Sequence, residues 1–199
     1  QKQPAKRITL VGASIGEAWH FDQLDERLKL SGYDFKYVGN NDFDKERLIE
    51  KLVGERDKPD VVMIKECSSY FPGDAAKYQA KIRSWVKTLR AAGIQPVLVT
   101  VAPVEAPGLV QRTKNLAKKM LGKPIWPEQV AAFNDWLRVY AAEERLPLFD
   151  LEAVLRISPE QRFLRQEFGV GDYVHLNAAA YRKIDSEFAQ FLSRLSATR

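Results

Sequence analysis

The sequence predicts an α/β fold, a three-layer α/β/α sandwich built on a mostly parallel, five-stranded, flavodoxin-like sheet. Five short apolar, β-branched runs alternate with longer stretches whose apolar residues recur at helical spacing, the pattern of successive βαβ units. No Pro/Gly/Ser-rich stretch divides the 199 residues, so one domain spanning 1–199 is expected. With 45% hydrophobic and 29% charged residues, and no apolar run approaching about 18 residues, a globular chain without a transmembrane segment is expected.

Strands are expected at 7–11 (Arg-Ile-Thr-Leu-Val), 34–38, 61–65 (Val-Val-Met-Ile-Lys), 96–101 and, more briefly, 146–149. Helices fill the intervals at 17–30, 44–53, 75–92, 109–120, 127–144 and 178–195. Leu48, Leu52 and Val53 give the second helix its apolar stripe, and Ile82, Trp85, Val86 and Leu89 do so for the third. Asn177 is placed to cap the last. Right-handed crossovers would put helices on both faces of the sheet and any ligand beyond the strands' carboxyl ends. Between Val101 and Pro127 the pattern is broken by Pro103, Pro107, Gly108, Gly122 and Pro124. That segment is either a lid or substrate-contacting element or an insertion that packs on the surface.

The formal charge is +5, and much of the excess is local, since Arg112, Lys114, Lys118, Lys119 and Lys123 occur with no acid among them. They form a solvated helix face or a surface for acidic polysaccharide, anionic lipid or nucleic acid. The basic and aromatic interleaving of a nucleic-acid groove is missing, so no nucleic-acid partner is expected. One cysteine, Cys67, excludes an intramolecular disulfide, and no tight ligand spacing joins it to Glu66 and a histidine as a metal site. It reads as a small buried residue. The polar start Gln1-Lys2-Gln3-Pro4-Ala5-Lys6, without a methionine, leads to the expectation of a mature N-terminus left by a signal peptide, hence a periplasmic or secreted protein.

The chemistry gathers at two places. Ser14 follows the first strand in Gly12-Ala13-Ser14-Ile15-Gly16, and Asp172-Tyr173-Val174-His175-Leu176-Asn177 lies near the other end. A serine hydroxyl needs an imidazole to take its proton and a carboxylate to fix that imidazole's tautomer. Of the two histidines, His20 and His175, only His175 has an acid three residues before it. Ser14 also has plainer readings, as a helix N-cap or a phosphate-binding turn, and the Asp172/His175 pair as a surface hydrogen bond or part of a metal site. Gly12 to Gly16 spells G-x-S-x-G, but the α/β-hydrolase elbow lies well inside its chain and its acid well before its histidine.

A serine block after strand one with an Asp-x-x-His block near the C-terminus resembles the SGNH, or GDSL-like, hydrolases. Gly12-Ala13-Ser14 stands for the family's Gly-Asp-Ser with alanine replacing aspartate, and Asp172-x-x-His175-Leu176-Asn177 matches its last block. The resemblance implies Ser14 as nucleophile, His175 as base then acid, and Asp172 as its orienting group, with no metal or organic cofactor. It also implies oxyanion donors from the Ser14 N–H, from Gly39 or the N–H of Asn40 or Asn41, and from an asparagine after strand three. Ser69 stands at that last position here. Glu66, Tyr70 and Trp126 are candidates to meet a small-molecule or carbohydrate ester substrate, although core packing explains an aromatic such as Trp19 or Tyr70 equally well. Three functions follow: an esterase, an O-acyltransferase that passes the acyl group to a sugar hydroxyl, or a binding module with weakened catalysis. The sequence leaves the oligomeric state open.

Overall fold

The computed structural model describes residues 5–197; most of the polar start, Gln1 to Pro4, lies outside the described residues. Five parallel strands, β1 (Lys6–Gly12), β2 (Tyr33–Gly39), β3 (Val61–Lys65), β4 (Gln95–Val99) and β5 (Leu148–Phe149), form one sheet in the order β2-β1-β3-β4-β5. The parallel, doubly wound, flavodoxin-like sheet expected from the βαβ rhythm is present. Strand order reverses between β1 and β3, and the crevice beyond the strand ends at that reversal is where such sheets place their ligands.

Buried strands carry apolar residues toward both faces. Ile8, Leu10, Val61, Met63, Val97 and Val99 face one core, and Val11, Val62, Ile64 and Leu98 face the other. The first core is covered by α1 (Ser14–Ala18), α2 (Leu24–Leu28), α7 (Leu151–Leu155) and α8 (Ala178–Ala197). The second is covered by α3 (Glu46–Gly54), α4 (Ala75–Ala91) and α6 (Trp126–Glu143), through Ile49, Leu52, Ile82, Trp85, Val86, Leu89, Phe133 and Leu137. One further helix, α5 (Leu109–Met120), has no buried residue.

The expected helix at 17–30 is instead three pieces: α1, a 3-10 turn (Phe21–Gln23) and α2. The chain breaks at His20, which takes a left-handed φ of 50°. Two residues apart on a continuous helix point about 200° apart, yet Trp19 and Phe21 both enter the same core. The break reconciles them. Helix α7 lies where no element was expected; it has only five residues and is capped by Asp150, which accepts from the Ala153 N–H.

Candidate active site

Ser14 opens α1 immediately beyond β1. Ala13 is the N-cap residue, in extended backbone, so the Ser14 hydroxyl is not used to cap the helix. The Tyr37 hydroxyl donates to the Ala13 carbonyl at 3.0 Å and holds the turn. Burial pushes its pKa up to about 12, so it remains a neutral donor. Gly12 pairs with Gly39 across the sheet. A Cβ on Gly39 would lie 2.1 Å from the Tyr37 hydroxyl oxygen and 2.5 Å from the Gly12 carbonyl oxygen, so this close approach requires glycine.

Near the other end of the chain Asp172 and His175 meet directly. Asp172 Oδ2 lies 2.6 Å from His175 Nδ1, while Oδ1 accepts from the backbone N–H groups of His175 (2.8 Å) and Val174 (3.0 Å). The His175 N–H is the chief cause of an Asp172 pKa pushed down to about 2. An ionised Asp172 can only accept, which makes Nδ1 the donor, so in the neutral imidazole the lone pair is on Nε2. Among the described residues no hydrogen bond joins Ser14 to His175. Helix α8, which follows the His175 turn, is capped by Asn177 Oδ1, which accepts from the N–H groups of Ala179 and Ala180 at 3.0 and 3.1 Å. It reaches Trp19, just after α1, and Arg27 on α2 through the buried Asp185, which accepts from Trp19 Nε1 at 2.7 Å and from Arg27 Nε at 2.7 Å.

The folded chain thus has a serine at the end of β1, an Asp–His pair before the last helix, and a doubly wound sheet in the order 2-1-3-4-5. No protein-family model and no curated protein matches the sequence. Solved structures do match over almost the whole chain. A GDSL-like lipase from Bacteroides thetaiotaomicron is similar with a TM-score of 0.70 at 16% identity, over 98% of this chain and 93% of that one. The chain has the SGNH-hydrolase fold. Two further neighbours are an acetyl-xylooligosaccharide esterase from Geobacillus (TM-score 0.67, 16% identity, 96% of each chain) and the esterase EstA from Pseudoalteromonas (TM-score 0.63, 14% identity, 97% of this chain and 100% of that one).

Within this SGNH fold the oxyanion candidates differ in what they have left to offer. The Asn40 N–H donates to the Gly12 carbonyl at 3.2 Å, and the Asn40 side chain is engaged by the Asp44 carbonyl and the Asp42 N–H. Gly39 and Asn41 are exposed at the same turn. Ser69 is exposed on the 3-10 turn Ser68–Tyr70 after β3, and its hydroxyl donates to Cys67 Sγ at 3.1 Å. Glu66 and Tyr70 turn away from solvent toward Lys45. Glu66 is 1% exposed and its Oε2 lies 3.3 Å from Lys45 Nζ, which also donates to the Tyr70 hydroxyl (3.2 Å) and to the Asp42 carbonyl. Burial pushes Glu66 up to about 8, against the pull of Lys45, and pushes the neighbouring Lys65 down to about 8. Among the described residues no group of three or more His, Cys, Asp and Glu side chains is placed to hold a metal ion.

A cavity of about 470 Å³ opens beside the strand ends, with Ser69, Phe71, Val104, Trp126, Tyr173 and Val174 among its walls. Trp126 therefore stands at this cavity, with Nε1 donating to the Ser68 carbonyl at 2.7 Å, whereas Trp19 belongs to the core. Two residues outside the expected set shape this region. Lys45 joins the turn after β2 to the turn after β3. Glu105 accepts from the N–H groups of Gly171 (3.0 Å) and Tyr173 (2.9 Å), gripping the chain on either side of Asp172. Tyr173 has a φ of 73°, a strained value for a side-chain-bearing residue, which this grip sustains. A Cβ on Gly169 would lie 1.8 Å from Glu105 Oε1, so a side chain there would displace the Glu105 carboxylate from this grip.

Proposed function

We propose that the chain is a serine ester hydrolase acting through an acyl-serine intermediate on a small-molecule or carbohydrate ester. The observation that carries this reading is the 2.6 Å contact between Asp172 and His175, which leaves Nε2 of His175 as an acceptor in a chain whose first strand delivers an uncapped serine. Ser14 Oγ attacks the ester carbonyl carbon as its proton passes to His175 Nε2, and Asp172 stabilises the imidazolium. The carbonyl oxygen, now an anion, takes hydrogen bonds from the Ser14 N–H and from the Gly39–Asn41 and Ser69 turns. The alcohol departs with the proton from Nε2. Water, deprotonated by the same nitrogen, then releases the acid. An acetyl ester of a carbohydrate is the first substrate to try, because one neighbour in fold is an acetyl-xylooligosaccharide esterase. Transfer to a sugar hydroxyl uses the same acyl-serine and is distinguished by product analysis with an added polyol.

A second reading, a binding module with lost catalysis, is favoured by one observation: the Asn40 N–H and the Ser69 hydroxyl already donate within the protein. Loss of one oxyanion donor costs about 10²–10³ in rate. Covalent labelling by a fluorophosphonate separates the two readings. A label on Ser14 supports the hydrolase; ligand binding that persists in an unlabelled protein supports the module.

A further inference from the structure

Helix α5 is built the wrong way round for a helix that packs on a core. At about 100° per residue, Leu109, Val110, Leu116, Met120 and Leu121 share one arc of roughly 140°, with Thr113 and Ala117 between them. That arc faces water: Leu109 is 80% exposed, Val110 71%, Leu116 60%, Met120 82% and Leu121 70%. The opposite face, with Gln111, Asn115 and Lys118, lines the cavity beside the strand ends. The helix thus turns its polar side toward the protein and its apolar side outward.

The charges around the arc decide what covers it. Lys114 lies on one border and Arg112 on the other, with Lys123 just beyond the end and no acid from 109 to 123; Lys119, beside Arg112, is paired with Glu128. An acidic polysaccharide or a nucleic acid would answer the cations but not the five exposed aliphatic side chains. A second copy of this chain would bury the aliphatic groups but set like charges against like. An anionic lipid surface answers both, with apolar groups entering the acyl boundary and cations meeting headgroups. We propose that α5 is an interfacial helix that docks the protein on an anionic lipid bilayer, its cavity-lining face kept toward the protein. The proposal does not depend on ester hydrolysis, and its test reads no activity.

The test is co-sedimentation of the whole chain with vesicles of phosphatidylcholine alone or mixed equally with phosphatidylglycerol. Binding is expected to the mixed vesicles and to be roughly ten-fold or more weaker to phosphatidylcholine alone, with a steep loss as salt rises. Lys114→Gln and Lys123→Gln are each expected to weaken binding about five-fold. Leu116→Ser combined with Met120→Ser is expected to abolish it with little change in Tm, because both side chains are mostly in water. Absence of binding to the mixed vesicles at low salt overturns the proposal. So does binding that survives the Leu116→Ser/Met120→Ser change, or a stable dimer that the same change dissociates, since the face would then belong to a second copy.

Discussion

Asp172 does two jobs through one carboxylate: Oδ1 gathers the turn's own N–H groups, and Oδ2 orients His175. Its pKa is held down, from 3.8 to about 2, so this order is present above pH ~4 and is lost as pH falls through ~2. With both side chains 48% exposed the effect is local, and hydrogen exchange at the Val174 and His175 amides is the measurement that checks it. Glu105 holds the turn from outside. Glu105→Ala is expected to lower kcat by roughly 10²-fold with KM little changed, because the Asp–His unit loses its alignment. Glu105→Gln, which retains one acceptor oxygen, should recover part of that loss, and a fall in Tm without the kcat effect would contradict the positioning role. Lys45 and Glu66 are a different case, a fully buried pair. Burial keeps the Glu66 carboxyl mostly protonated at neutral pH, so Lys45→Met strands no charge but removes the buried donor shared by the Asp42 carbonyl and the Tyr70 hydroxyl, and is expected to cost about 1–3 kcal/mol in denaturant unfolding.

At the scale of elements, the strand ends are fixed by polar groups as much as by the apolar faces. Asn134 on α6 is completely buried, accepts from the Val101 N–H at 2.7 Å, and donates to the Val101 carbonyl at 2.9 Å and to Glu152 Oε2 at 2.7 Å. Arg138 and Arg162 complete the shell around Glu152. Asn134→Leu is expected to cost about 3 kcal/mol or more, since it strands buried backbone and carboxylate groups at the exit of β4; unchanged stability would argue that water replaces the amide. The irregular segment after β4 then runs to Glu105, to the cavity wall and to α5. Residues 101–127 accordingly meet the candidate site at one end and solvent at the other.

For the whole molecule, how much is legible in the sequence depends on the range of the interactions. The runs that became β1 and β3 are apolar on both faces, and Asn177 carries its capping signal locally, so the sheet and the last helix can be read from a few adjacent residues. The first helix cannot, because its break at His20 answers to a core assembled from α8 and β2, where Trp19 and Phe21 meet Phe188 and Phe35. Ser14, Asp172 and His175 stand out by chemistry and spacing. Glu105 does not, since its partners are backbone N–H groups 66 and 68 residues away. Glu66 is read from the sequence only as a candidate to meet substrate, and nothing local points from it to Lys45, its buried partner. In the proposed hydrolase these pieces converge on one nucleophile, Ser14. That convergence is tested most directly by fluorophosphonate labelling and hydrolysis of a short-chain activated ester by the purified protein beside Ser14→Ala and His175→Ala. A label at Ser14 is expected, with hydrolysis lost in Ser14→Ala and reduced at least about 10³-fold in His175→Ala. Ester hydrolysis that persists undiminished in Ser14→Ala would contradict it.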